Sequence, residues 1–500
     1  MTTVDRRTFL AGLGSASALT IVPRRVLGGA GFVPPSDQIL LAQVGCGTQA
    51  QRQVNTRLVK RPDLQFVAVV DPNQDGQEYV DWEPWGNRDR IREFLNDPAW
   101  GASDTGIRAG RDVARQIMET WYRQQGRPSR GIRSYEDYRE MLEKEPDIQG
   151  VVNITPDHQH GPINISALRK GKAAISHKPV ASVLAEVRRV VQAARDSAAP
   201  SHLLAYNNEP DRYTLAAWIN AGVIGTVREV HNWSSRPFWP QGMQAYHASG
   251  PAVPAGFNWE LWQGPEPERP YHPSYTFAVY RGWYAYGTGC LGDMGHYSLW
   301  QPYRILKLGV PVFVEARCSA ETSVDEHHVS EGGHISPVAF PKASVVRWRH
   351  AATADRPAVD TFWYDGGMKP QTPDELYQDN EDLADEGMLF VGDKGKILCD
   401  FEGNQPRLIP KSRQKAFEGS VLAKDVDPTK PDDEWVSAIR KGTKSRGSFE
   451  DVAPLSEAVT LASIALRVPY KRLFWDAQQM AFTNSEEANK LVRREYRPGW

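Results

Sequence analysis

The chain has 500 residues, more than one ordinary core holds, so two domains are expected. A hydrophobic share of 40% with 24% charged residues describes a folded protein, and 59 basic against 61 acidic residues give no electrostatic case for nucleic acid or an anionic membrane. The four cysteines form no CxxC pair and show no metal-ligand spacing, so they read as free thiols with no metal site. The 16 tryptophans and 18 tyrosines suit surfaces that bind sugars and other ring-shaped ligands.

The first stretch reads as address rather than fold. Arg6-Arg7 precede Phe9-Leu10 and a short, weakly apolar run from Thr8 to Val22, the pattern of a Tat export signal, with signal and linker over 1–35. No later stretch approaches the roughly 20 apolar residues of a membrane helix. A periplasmic or otherwise exported protein without a span in its mature form is expected.

After "VPPSD", Ile39 to Val44 reads as a buried strand and "GCGTQA" opens a helix expected to run through Val54 and Leu58. Gly45, Gly47 and Ala50, with Thr48 and Gln49 between them, make a Gly-x-Gly-x-x-Ala fingerprint. The first glycine makes the turn, the second lets backbone approach a pyrophosphate, and the small third residue packs helix on strand. "LQFVAVVD" supplies the next strand and ends in Asp71, an acid placed to accept from ribose hydroxyls and repel a 2′-phosphate. NAD is favoured over NADP.

Residues 74–133 break the rhythm and are expected to be an insertion carrying Trp82, Trp85 and Trp100 over the cofactor edge or a subunit interface. Alternation then resumes: "SYEDYREMLEK" as helix, "DIQGVVNIT" as strand, "PDHQHGPINISALRKGK" as helix and "AAISHKPVA" as strand and turn.

Taken together, "VGCGTQA", "NITPDHQHGPINISALRKGK", "HKPVA", "GVIGTVREVHNW", "RPFWPQG", "GCLGDMGHYSLW" and "FVGDKGKI" resemble the Gfo/Idh/MocA oxidoreductases. The closing "FTNSEEANKLVRREYRPGW" resembles their exported bacterial branch. The resemblance implies an α/β architecture: an N-terminal Rossmann domain over 36–180 and a C-terminal α+β domain over 181–500. The second domain would carry a large, mostly antiparallel sheet, substrate on one face and often oligomer contacts on the other. A homo-oligomer, dimer or tetramer, follows.

The family's Glu-Lys-Pro motif falls on His177-Lys178-Pro179, so the lysine matches and histidine replaces glutamate. Thr155-Pro156 would turn towards the nicotinamide end, with His158 and His160 as weaker matches. In the substrate domain the family places a catalytic histidine four residues after an aspartate. Counting from Asp293, that position is Tyr297, and His296 is one short. On a helix both stay on the Asp293 face, about 40° and about 60° away. The register favours Tyr297 as acid/base, its phenol lowered by Lys178, with Asp293 fixing substrate hydroxyls. Arg236, Trp239, Arg281 and Trp283 are expected to finish the sugar pocket by stacking and forked donation. "DEHHVSEGGHIS" fits no standard metal site and reads as a polar loop.

These expectations describe an NAD-dependent oxidoreductase acting on a hydroxyl of a sugar, glycoside or cyclitol, its cofactor tightly bound and recycled. Redox-cycling glycosidase or lyase chemistry, metal-assisted keto-glycoside cleavage, and non-catalytic sugar binding are the alternatives.

Overall fold

The computed structural model describes residues 33–81, 83–127, 131–206, 210–277, 279–417, 427 and 429–500. Arg6, Arg7 and Trp82, and with them the export signal, lie outside the described residues.

Apolar runs become strands where burial on both faces demands them. β1 (Ile39–Val44), β2 (Leu64–Val70), β5 (Arg133–Tyr135), β6 (Gly150–Asn153), β7 (Ala173–Ser176) and β8 (Ser201–Leu203) form a parallel sheet in the order β5-β2-β1-β6-β7-β8. β2, β6 and β7 are buried at every position, as a sheet covered on both faces requires. The sheet takes in β8, so this layer continues past residue 180.

The helix after the glycine turn is shorter than its pattern suggests. One α turn at Thr48–Ala50 passes into a π-helical stretch at Gln51–Asn55, and the chain re-forms a short turn at Leu58–Lys60. Residues 74–133 are likewise only partly an insertion. β3 (Gly76–Tyr79) and β4 (Ile107–Ala109) pair as a two-stranded ribbon flanking α1 (Gly86–Leu95). α2 (Arg111–Gln124), however, is the ordinary crossover from β2 to β5, packing Val113, Ala114, Ile117 and Met118 into the domain core. Trp100 is buried in that same core, so it fills space there instead of covering a cofactor, and Trp85 lies over Arg88.

Beyond β5, α3 (Tyr138–Lys144), α4 (Asp157–Arg169) and α5 (Leu184–Asp196) complete the first layer. The second layer is a nine-stranded sheet. Its strands are β9 (Val227–Trp233), β10 (Phe313–Cys318), β13 (Ser344–His350), β14 (Val359–Asp365), β15 (Gly387–Gly392), β16 (Gly395–Cys399), β17 (Arg407–Ile409), β18 (Arg472–Asp476) and β19 (Ala481–Phe482). All its pairings are antiparallel except β14 with β9. α6 (Gly289–Ile305) and α7 (Phe449–Arg467) cover one face, and α7 also packs on α5, joining the layers. "DEHHVSEGGHIS" is the turn and return strand of an exposed hairpin, β11 (Glu321–Val324) with β12 (Ser330–His334). The four cysteines are free, and among the described residues no group of His, Cys, Asp or Glu is placed to hold a metal, nor is any helix long and apolar enough to cross a membrane.

Candidate active site

The C-terminal ends of β1, β2, β6 and β7 open into one cleft of about 1010 Å³, closed on its other side by Leu261, Trp262, Phe277, Tyr280 and Arg281 of the second domain. This is where open parallel sheets bind ligands.

The glycine turn fits a dinucleotide on steric grounds. Gly45 donates to Val70 O at 2.8 Å and sits at φ +87°, and a Cβ there would come within 2.5 Å of Ile154 O. Only glycine satisfies both conditions. Gly47 faces the Tyr79 ring, and Ala50 is wholly buried. Thr48 Oγ1 donates to Val80 O at 3.2 Å, while Gln49 Nε2 lies 3.4 Å from His177 Nε2. Asp71 ties this turn to the end of β2: Oδ2 accepts from Cys46 N–H at 2.7 Å and Oδ1 from Asn73 N–H at 2.8 Å. Burial pushes its carboxyl up to about 6 despite those bonds. Gly45, Gly47, Thr48, Gln49 and Asp71 all line the cleft.

Thr155 and Pro156 line it too, where β6 passes into α4. The neighbouring histidines do not. His158 lies between the carbonyls of Trp262, at 2.8 Å, and Tyr286, and burial pulls it down to about 3. His160 lies between Pro179 O at 2.6 Å and Thr155 O at 2.9 Å, and burial lowers it as well. Both rings lie outside the cleft lining and are held neutral by burial, each donating to one of its two facing carbonyls, so the structure places them as loop fasteners and not at the expected cofactor positions.

His177 and Lys178 line the cleft at the end of β7. Lys178 Nζ donates to Asp293 Oδ1, which also accepts from Arg281 Nε at 2.8 Å. All three side chains are nearly sealed from solvent. Burial alone would raise the Asp293 carboxyl, yet the Arg281 and Lys178 charges hold it well below the usual range. Burial lowers Lys178, Asp293 opposing and Arg281 reinforcing. Asp157, at the start of α4, accepts from Tyr280 OH at 3.3 Å and from Thr288 Oγ1.

Tyr297 projects from α6 on the Asp293 side, as the helical register predicts, with Lys178 Nζ 5.4 Å from its ring centre. Its hydroxyl meets His177 Nε2 at 3.2 Å. The expected lowering of this phenol by Lys178 is reversed: burial and the Asp293 charge push it up, because the ammonium is engaged by the carboxylate. His296 turns inward, its Nε2 3.3 Å from Ser456 Oγ of α7, and burial holds it down at about 3.

Of the expected sugar-contacting residues, Arg281 alone lines the cleft. Arg236 pairs with Glu386, Trp239 Nε1 donates to Gln241 Oε1 at 3.0 Å, and Trp283 Nε1 donates to Ser274 O at 2.7 Å deep in an aromatic cluster. These are satisfied structural contacts. The aromatic walls are instead Tyr79, Trp262, Phe277 and Tyr280; Tyr280 adjoins Arg281 in sequence, the one local signal that marked it.

Two family models match: "Oxidoreductase family, NAD-binding Rossmann fold" over residues 123–204 and "Oxidoreductase family, C-terminal alpha/beta domain" over 219–323. Levoglucosan dehydrogenase of Pseudarthrobacter phenanthrenivorans is 31% identical over 114 residues, a stretch covering 21% of this chain and 29% of that one. The WlbA dehydrogenase of Bordetella pertussis, solved with NADH and UDP-GlcNAcA, superposes over 88% of this chain and 99% of its own at 14% identity and a TM-score of 0.50. Aldose-aldose oxidoreductase of Caulobacter crescentus, complexed with glycerol, matches over 88% of this chain and 100% of its own at 15% identity and a TM-score of 0.48. With an NAD-binding Rossmann model matching residues 123–204 and a C-terminal model matching 219–323, the chain is similar over that stretch to the Gfo/Idh/MocA oxidoreductase family.

Proposed function

We propose that this protein oxidises a hydroxyl of a carbohydrate, a sugar, glycoside or cyclitol, with NAD as hydride acceptor. One observation carries the reading: the glycine turn lines a single cleft with Lys178 and Arg281, the two cations that buried Asp293 holds. The dinucleotide would be held by Gly45, Gly47, Thr48, Gln49, Asp71, Thr155 and Pro156, and when bound it supplies a site that takes the substrate's carbinol hydride. The protein's own part is the proton. Lys178 is the titratable group at the cleft wall whose basicity burial lowers towards neutrality, as a general base requires, and it removes the hydroxyl proton. Asp293 holds its amino group in place, the neighbouring Arg281 charge favours its neutral form, and Arg281 is a forked donor to sugar oxygens. Tyr297 and His177 form the adjoining pair that orients the end of β7. The similarity to levoglucosan dehydrogenase supports a carbohydrate over a small acid or amine. Asp71, with no arginine following it, supports NAD over NADP.

Arg6-Arg7 support export through the Tat route, and a compartment without a free NAD pool favours a dinucleotide loaded before export and recycled on the enzyme. The half-exposed stack of His231, Phe362 and Tyr364 on the sheet face supports a homo-oligomer. Protein purified without added cofactor and then denatured should release dinucleotide in proportion to chain. Empty protein that turns over only with external NAD would remove the recycled-cofactor part of this reading; absence of any carbohydrate-dependent NAD reduction would remove the whole.

A further inference from the structure

One wall of the cleft comes from neither the glycine turn nor the lysine cluster. Asp71 N–H donates to Tyr135 O at 3.1 Å, so Glu136 and Asp137 leave β5 directly beside Asp71 and Pro72. That is the end at which the acid after β2 meets an adenosine ribose. It is lined by Glu136, Asp137, Tyr138 and, from the far end of the sequence, Trp500.

The segment 494–500 that delivers Trp500 is firmly tied down. Arg494, largely but not fully buried, donates from Nε to Glu186 Oε1 at 2.6 Å, from Nη1 to Glu266 Oε1 at 2.6 Å and from Nη2 to His158 O at 2.7 Å. Glu186 lies on α5 and Glu266 in the second domain, so one guanidinium spans both. Tyr496 OH donates to Glu186 Oε1 at 2.9 Å, and Arg497 Nε donates to Gly264 O at 2.6 Å. Arg139 of α3 then donates to Gly499 O at 2.8 Å, with its guanidinium carbon 4.2 Å from the Trp500 ring centre. Asp137 holds that guanidinium from its other side at 2.7 Å. Arg139 is not part of the cleft lining, so it backs the indole and fixes its plane.

We propose that Trp500 is a cofactor-contacting residue, its indole closing the adenosine end of the cleft, and that segment 494–500 retains the bound dinucleotide. The inference rests on the NAD reading above. A flat purine suits an indole wall, and a wall pinned by buried ion pairs must be displaced before the dinucleotide leaves. This assigns the clamp to the chain's last residues and not to the 74–133 region.

The test uses the full chain and two half-ligands. ADP-ribose carries the adenosine end; nicotinamide mononucleotide carries the other. Calorimetry on Trp500→Ala should show ADP-ribose bound about tenfold more weakly, nicotinamide mononucleotide unchanged, and NADH released correspondingly faster in stopped flow. Trp500→Phe should restore most of the affinity. If Trp500→Ala does not fold, Arg139→Ala, which removes the indole's backing together with the bonds to Gly499 O and Asp137, should show the same selectivity at smaller size. Equal ADP-ribose affinity in variant and unmodified protein, or equal weakening of both half-ligands, overturns the proposal while leaving the NAD reading intact. Failure of the unmodified protein to bind NADH or ADP-ribose overturns both.

Discussion

The hydroxyl of Tyr297 lies 3.2 Å from Nε2 of His177, and the same nitrogen faces the amide nitrogen of Gln49 at 3.4 Å. The Gln49 amide nitrogen can only donate, so the pairing with it assigns Nε2 as the acceptor and the ring proton to Nδ1, with the Tyr297 hydroxyl beside the same lone pair. Burial, with Lys178 and His160 adding to it, holds His177 well below the ordinary histidine range, so the ring is neutral near neutral pH. The histidine that replaces the family's glutamate is thus an uncharged acceptor wedged between the glycine turn and α6.

It follows that His177 adds no step to the pH–activity profile near 6.5, where an exposed histidine titrates. Tyr297→Phe removes the hydroxyl beside its Nε2 and should lower kcat about tenfold, on the scale of a lost buried hydrogen bond, with little change in NADH affinity. A limb near 6.5 that disappears in His177→Gln would show that this ring is charged in the working enzyme.

Asp293 Oδ1 accepts from both Lys178 Nζ and Arg281 Nε. Asp293→Ala removes the carboxylate that both buried cations contact and should cost roughly 3–5 kcal/mol of stability, read by urea unfolding. Asp293→Asn keeps the shape and loses the charge, so Lys178 should titrate lower still and the alkaline rise in activity should move to lower pH. Unchanged stability in Asp293→Ala would mean that solvent reaches these groups.

Cofactor choice should depend on pH through Asp71. Its carboxyl is raised by burial to about 6, so it is charged above that pH and neutral below it. A raised carboxyl favours the folded state below its unfolded value, and that contribution is lost as pH rises through 6. Repulsion of a 2′-phosphate runs the other way: present above 6, lost below. The preference for NAD over NADP should therefore be larger at pH 8 than at pH 5.5, and Asp71→Ser should flatten the difference. Tighter NADP binding by the unmodified protein at pH 8 would contradict the assignment.

Six buried histidines that burial keeps neutral, His160 and His177 among them, work against acid stability. His158, His202 and His296 are held down at about 3 and His350 at about 4, all by burial first. Depressed groups contribute stability that is present above their unfolded pKa and lost as pH falls through the folded value. Each takes up a proton on unfolding, worth about 1.4 kcal/mol per pH unit between about pH 6 and 4, partly offset by the raised Asp71 and Asp365 carboxyls, so stability should fall as pH falls through that window. His202 lies outside the cleft lining, bonded to Ser445 Oγ at 2.9 Å, so His202→Gln tests this without touching the chemistry. Its slope should be shallower by about one proton's worth.

The parallel layer was readable because continuous apolar runs, a positive-φ glycine and an acid at a strand end are local signals, and Ile39–Val44, Gly45 and Asp71 carry them. Helical arithmetic likewise put Tyr297 on the Asp293 side of α6. What local pattern does not encode is burial. His158 and His160 look like titrating groups beside a cofactor turn, yet they are neutral fasteners. Tyr297 was expected to be lowered by a nearby ammonium that Asp293 in fact engages. Trp239 and Trp283 carry the composition of a sugar site but spend their N–H groups on structure. Tyr79, Glu136 and Trp500 reach the cleft only through long-range contacts, so nothing near them in sequence announces it.

The most direct test is a single-turnover experiment on Lys178. Unmodified protein, loaded with NAD and mixed with a panel of sugars, anhydrosugars, glycosides and cyclitols, should reduce the nicotinamide with at least one of them. Lys178→Met should bind NADH as before and slow that absorbance rise by a factor of about 10³ or more, the scale of a lost general base. If Lys178→Met reduces NAD at the unmodified rate, the proton is handled elsewhere and the central claim fails.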